Sequence, residues 1–248
     1  MKLNAIDRFC FTENATPLQP LSRLSAHLGG PMIFMKRDDL THLAGGGNKA
    51  RKLEYLVADA LAQGADTLLA TGATQSNHAR QTAAAAARAG LRCVLLLERR
   101  LQDQPEEYYR SGNAMLNRIL GATLCEELPA GADIAKEVEQ LKKQLIQQGL
   151  KPYVIAGGGS SPLGAVGYFR CAQEIRDQAA ELGIEVDCIA HAAGSGGTQA
   201  GLVAALCGDR RTRVLGYSVR FDTSRMSQIV QAIADQTAIL TGASPVPK

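Results

Sequence analysis

Thr67-Leu68-Leu69-Ala70-Thr71, followed by Gly72 to Asn77 and then the alanine-rich Ala79 to Ala89, is the stretch whose reading decides the fold. Five apolar or β-branched residues bounded by turn signals read as a short buried strand. The glycine-led segment after it reads as a loop, and the alanines as a helix, because alanine loses no side-chain entropy there. The same unit repeats on both sides. Upstream, Arg51 to Gln63 carries Leu53, Leu56, Val57, Ala60 and Leu61 at helical spacing and stops at Gly64. Downstream come a strand at Arg92 to Glu98, a helix at Glu106 to Leu120, a strand at Ala122 to Cys125, a helix at Ile134 to Gln148 and a strand at Pro152 to Ala156.

Gly157 to Gly167, with glycines at 157, 158, 159, 164 and 167 and a proline, reads as a break. A second set follows: helix around Val166 to Leu182, strand Val186 to Ala192, helix Thr198 to Cys207, strand Arg213 to Val219, helix Ser227 to Thr237. Strands alternating with helices imply parallel sheets covered on both faces. The expectation is an α/β protein of two three-layer units facing across a cleft, where small ligands bind.

Composition bounds the function. With 248 residues the chain can bury a sizeable core, and its net charge of +3 is too small to argue for nucleic acid or a membrane surface. Its 27 lysines and arginines are scattered. Six cysteines form no C-x-x-C pair and have no histidine at zinc-site spacing, so buried thiols in a cytoplasmic protein are expected, and no metal. Met1 to Phe11 lacks an apolar h-region, and the most apolar stretch, Thr82 to Leu97, is interrupted by Arg88 and Arg92.

Three motifs carry chemistry. Gly45-Gly46-Gly47-Asn48-Lys49 delivers one amine on a tightly folding loop; it is either a solvated turn or a positioned, desolvated nucleophile. Gly194-Ser195-Gly196-Gly197-Thr198 follows a strand and opens a helix, which makes it a plain turn or an anion site of free amides and hydroxyls. A dinucleotide site wants glycine at Gln199 and an acid near Arg220, and a Walker loop wants Gly-Lys-Ser/Thr. A phosphate monoester fits instead. Gln75-Ser76-Asn77-His78 lies between a strand and a helix, either as an N-cap with a solvated histidine or as a polar ligand site. No carboxylate completes a Ser-His-Asp triad and no G-x-S-x-G elbow exists, so hydrolysis ranks low. Lys36-Arg37-Asp38-Asp39 is expected to pin the glycine loop, and His27, His42 and His191 to fill core or surface roles. A Schiff-base lysine plus a phosphate-monoester site in one α/β cleft points to pyridoxal 5′-phosphate.

Ile33 to Asp39, Gly45 to Glu54, Gln75 to His78, Tyr109 to Ala122, Gly158 to Tyr168 and Gly194 to Gly201 together resemble the D-cysteine desulfhydrase and aminocyclopropane-carboxylate deaminase family. That family belongs to the tryptophan-synthase-β-like, fold-type-II pyridoxal-phosphate enzymes. The resemblance runs over nearly the whole chain. It implies that Lys49 carries the cofactor as a Schiff base and moves the α-proton, and that Asn77 bonds the cofactor's 3′-oxygen. It also implies that Ser76 holds the substrate carboxylate beside Asn77 and His78, and that Gly194, Ser195, Gly196, Gly197 and Thr198 take the phosphate. His78 resembles the desulfhydrase and cysteate-lyase side more than the deaminases, which tend to carry glutamine there. The implied large domain is residues 1–51 and 157–248, the small one 52–156, and the implied assembly a homodimer. Relatives continue beyond Pro245-Val246-Pro247-Lys248 with a tyrosine against the cofactor and a strand end that meets the pyridine nitrogen; neither is seen in this sequence, so the large domain is expected to be short of its C-terminal segment. The leading expectation is β-elimination from D-cysteine, ahead of L-cysteate and aminocyclopropane carboxylate. An inert pyridoxal-phosphate-binding fragment and a phosphate-ester binding protein are the alternatives of another class.

Overall fold

The computed structural model describes residues 3–101, 103–125, 127–209 and 211–246; Met1, Lys2, Pro247 and Lys248, at the chain ends read above, lie outside them. Near the N-terminus, β1 (Leu18–Pro20) and β2 (Phe34–Lys36) pair antiparallel around α1 (Ser22–Leu28). The chain then enters α2 (Lys49–Ala62), β3 (Thr67–Ala73), α3 (Asn77–Ala89), β4 (Arg92–Arg99), α4 (Glu106–Arg110), α5 (Gly112–Ile119), β5 (Thr123–Leu124), β6 (Leu128–Pro129), α6 (Ile134–Gln147) and β7 (Pro152–Ile155). It continues through α7 (Pro162–Leu182), β8 (Cys188–Ala193), α8 (Gly197–Leu206), β9 (Arg213–Ser218) and α9 (Thr223–Thr241).

As the alternation predicts, the larger sheet is parallel throughout. Its order is β5-β4-β3-β7, with β6 also against β4, and the β3–β4 register runs from Thr67 opposite Arg92 to Ala73 opposite Glu98. Leu68, Leu69, Leu95 and Leu97 are buried on its two faces, each contributing roughly 1.5–3 kcal/mol. Helices α2 and α3 cover one face through Leu53, Val57, Ala83 and Ala86, and α6 covers the other through Val138 and Leu145. The second parallel pair, β8–β9, is covered by α7, α8 and α9, which meet through Val166, Phe169, Ala200, Ala204 and Val230. Its other face leaves Leu215 and Tyr217 exposed.

Three sequence readings need correction. The expected single helix Glu106 to Leu120 is two, separated at Ser111, because the Gln75 amide is inserted at the junction and bonds Tyr108 O, Ser111 O and Asn113 N. The expected break Gly157 to Gly167 ends early. Ser161 caps α7 by accepting from Gly164 N, with Pro162 in the first turn, so Gly164 and Gly167 are helical. A Cβ on Gly167 would strike Arg51 O, so glycine is what lets α7 lie against α2. The last helix is also longer than Ser227 to Thr237, because Asp222 caps it four residues earlier.

Candidate active site

Lys49 is the first residue of α2 rather than the end of a loop. Its backbone N–H, which has no intrahelical partner, donates to Gln81 Oε1 on α3 at 3.0 Å. The loop before it is tied down on every side. Gly47 N donates to Asp38 O (2.8 Å) and Thr41 Oγ1 (2.9 Å), and Arg80 Nη2 donates to Gly46 O (2.9 Å). Gly46 has φ 71°, and a Cβ there would collide with Asp39 O. Beneath the loop, Arg51 holds Asp38 bidentately and Glu174 as well, all at 2.8–2.9 Å, and Lys36 reaches Glu174 at 2.9 Å. Lys36 and Asp38 of the Lys36 to Asp39 run therefore help pin the loop, as expected, through a largely buried ion cluster, while Arg37 and Asp39 pair with each other at the surface.

The side chain of Lys49 enters a cavity of about 630 Å³. The cavity lies at the C-terminal ends of β3, β4, β8 and β9, where open α/β sheets bind ligands. Lys49 Nζ donates to Gly158 O at 3.2 Å, and burial lowers its pKa from 10.5 to about 8. Lys52, one turn further on the same helix face, shares that carbonyl at 3.3 Å and reaches Ser160 Oγ at 3.2 Å. Its amine is fully buried, and burial, then the charge of Lys49, holds its pKa well below the ordinary value.

Opposite stands the second glycine loop. Gly196 is left-handed at φ 82° and caps α8, so Gly197 and Thr198 form its first turn. Ser195 Oγ lies 2.7 Å from Ser160 Oγ, which also accepts from Gly197 N at 3.2 Å; Thr198 Oγ1 accepts from Asn48 Nδ2 at 3.1 Å. The Ser195 and Thr198 hydroxyls and the α8 N-terminus face the cavity alongside the Lys49 amine, a setting that favours an anion, with Ser160 and Lys52 packed behind them. Ser76 is the N-cap of α3, accepting from Ala79 N at 3.1 Å.

The cavity wall thus unites Lys49, Ser76, His78, Gly194, Ser195, Gly196 and Thr198. Two expected residues stand just off it: Asn77 is exposed, and the amide of Gly197 is taken by Ser160. His78 is not the solvated histidine of the plainer reading. It is 4% exposed, neither ring nitrogen has a partner among the described residues, and burial, then Lys49 and Lys52, lowers its pKa to about 3, so the ring is neutral. His191 also lines the wall with an unpartnered, buried Nε2, as does Gln199 through Oε1. Sequence reading missed Lys52, Ser160, Gln81 and Arg80. Only Lys52 had a signal, its i+3 spacing from Lys49.

Known proteins resemble this chain over most of its length. The family described as pyridoxal-phosphate dependent enzyme matches residues 10–245. A D-cysteine desulfhydrase of Serratia proteamaculans is 44% identical over 96% of this chain and 73% of its own length. A 1-aminocyclopropane-1-carboxylate deaminase of Burkholderia cenocepacia is 44% identical over 98% and 73%. The solved structure of an ACC deaminase homologue superposes with a TM-score of 0.88 at 37% identity, covering 99% of this chain and 73% of that one.

Proposed function

The chain belongs to the family of pyridoxal-phosphate dependent enzymes, and we propose that it removes a β-substituent from a small amino acid, D-cysteine first among the candidates. The products are then pyruvate, hydrogen sulfide and ammonia, with one water consumed. The observation that carries this reading is the Lys49 amine, desolvated to a pKa of about 8 and facing a hydroxyl-lined helix N-terminus across one cavity. The site fits the cofactor. It offers an amine for the aldehyde, an anion cradle of hydroxyls and a helix N-terminus for the phosphate, and orphaned buried atoms on His78, His191 and Gln199. When bound, pyridoxal phosphate supplies an electron sink for negative charge at the substrate's α-carbon.

The protein's own groups have separate tasks in this proposal. Lys49 holds the cofactor and, once released from it, takes the α-proton on Nζ; a pKa of about 8 suits a base near neutral pH. Ser76, at the N-terminus of α3, receives the substrate carboxylate, with the helix dipole and first-turn amides behind it. Asn77 and His78 flank the substrate. Gly194, Ser195, Gly196, Gly197 and Thr198 hold the phosphate, with Ser160 and Lys52 supporting that loop from behind. Residues 1–51 and 157–248 form the cofactor-binding unit and 52–156 the smaller one; the separate parallel sheets support that division. Six free cysteines support the cytoplasmic reading, and no described helix is long and apolar enough to cross a membrane. A homodimer completes the proposal.

His78 favours desulfhydration, since the sequence resemblance sets histidine there on the desulfhydrase and cysteate-lyase side and glutamine in the deaminases. The second reading, aminocyclopropane-carboxylate deamination, is favoured by the Burkholderia relative. Ammonia and 2-oxo acid release should be measured with D-cysteine, L-cysteine, L-cysteate and aminocyclopropane carboxylate, for the parent and Lys49→Ala: pyruvate with sulfide from cysteine, pyruvate with sulfite from cysteate, and 2-oxobutanoate from the cyclopropane. D-Cysteine turnover abolished in Lys49→Ala is the expected result. Turnover of the cyclopropane substrate alone would establish the second reading, and bound cofactor with no 2-oxo acid from any of them would make the chain a binding protein.

A further inference from the structure

Arg80 has no part in the roles assigned so far. It lies in the first turn of α3, three residues after Asn77, and its guanidinium joins three elements. Nη1 donates to Asn77 Oδ1 at 3.1 Å and to Asn113 Oδ1 at 2.8 Å, while Nη2 donates to Gly46 O in the Lys49 loop at 2.9 Å. Asn113, in the first turn of α5, donates from Nδ2 to Asn77 Oδ1 and to Gln75 O, both at 2.9 Å.

A guanidinium donates and never accepts. Whichever amide atom meets Arg80 must therefore be oxygen, and each amide's NH2 must point elsewhere. This settles orientations that an amide's shape leaves ambiguous. Asn113 turns its NH2 toward Asn77, so the Asn77 oxygen receives two donors from two helices. Its NH2 is then the only group Asn77 can present outward, and among the described residues it has no partner. Asn77 sits between Ser76 and His78, both on the cavity wall.

We propose that Arg80, seconded by Asn113, is a positioning residue that makes Asn77 an obligate hydrogen-bond donor toward the ring oxygen of bound pyridoxal phosphate. The inference rests on the reading of Asn77 as a cofactor contact. Through Gly46 the same guanidinium couples that donor to the loop that places Lys49. A donor to an oxygen carrying negative charge stabilises the charge, so a proton nearby is held less tightly. Loss of the donor should move the protonation of the loaded site to higher pH.

The test is the pH midpoint of the visible absorbance of the protein loaded with pyridoxal phosphate, alongside its thermal midpoint. Asn77→Ala and Arg80→Met should each raise the absorbance midpoint by roughly one pH unit, the scale of one hydrogen bond to a charged group. The double variant should go no higher than either single, because the two residues act as one unit. Arg80→Lys, another pure donor, should stay near the parent. If Asn77→Ala moves the midpoint and Arg80→Met changes only thermal stability, the inference is overturned while the reading of Asn77 stands. If Asn77→Ala itself leaves the midpoint in place, the reading of Asn77 fails, and the inference with it. Should Arg80→Met not fold or load, Asn113→Leu removes the second donor to Asn77, together with an acceptor for Arg80, and keeps the guanidinium; a smaller upward shift supports the proposal, and no shift refutes it.

Discussion

The two glycine-rich loops that face each other across the cavity are held in opposite ways. The first, leading into Lys49, is fastened by groups that are themselves committed: Asp38 to Arg51, Arg80 to Asn113, and Gln81 buried between α2 and α3. The second, Gly194 to Thr198, is closed mainly by exchangeable hydroxyls, with Ser160 Oγ serving Ser195, Gly197 and Lys52 at once. A loop that must place one amine to within a fraction of an ångström needs partners that do not leave. A loop that must receive an anion needs partners that do. The difference separates a positioning device from a receptor, although both loops read alike as glycine runs before a helix.

Three experiments break or sharpen that contrast. The largest effect should come from Asp38→Ala, which strands the buried Arg51 guanidinium beside a single carboxylate. Urea unfolding should show a loss of roughly 3–5 kcal/mol. Ser160→Ala, on the receptor side, should cost no more than about 1.5 kcal/mol. Equal losses would erase the distinction.

Next is Lys49→Met, which removes a buried amine from the cofactor-free protein and should stabilise it by roughly 1–3 kcal/mol. The sign with pH follows from the depressed pKa. Between about 8 and the ordinary 10.5 the unfolded chain holds the Lys49 proton and the folded chain does not. The parent's stability should therefore rise with pH across that window relative to Lys49→Met, so the variant's advantage should shrink. A constant advantage from pH 7.5 to 10.5 would show that Lys49 is not desolvated.

The smallest effect should be that of Thr198→Ala, which loses the Asn48 contact and one cradle hydroxyl. Titration with pyridoxal phosphate should show binding weakened about three- to tenfold, the worth of a single hydrogen bond. Retention as firm as the parent's would remove Thr198 from the cradle.

Much of the site was legible because its signals are local. The strand–loop–helix order around Thr67, the N-cap at Ser76 and the glycines before Lys49 and Thr198 each depend on residues within one turn of each other. The missed start of α7 was legible too: Ser161-Pro162 is an N-cap followed by a helix-compatible proline, outweighed in the reading by five glycines. The split at Ser111 was not, because the amide that causes it belongs to Gln75, on another loop.

What the sequence determined by itself was the strand–helix alternation from α2 onward, its parallel pairing and several of the residue types that meet at the cavity, since periodicity and capping act over a few residues. What only the tertiary structure decided was the state of those residues. Lys49 becomes a weak base, His78 stays neutral and Asn77 turns its nitrogen outward because of partners up to 109 positions away in the chain. Desolvation and donor–acceptor polarity depend on everything that surrounds a group, and a chain brings those surroundings together only when it folds.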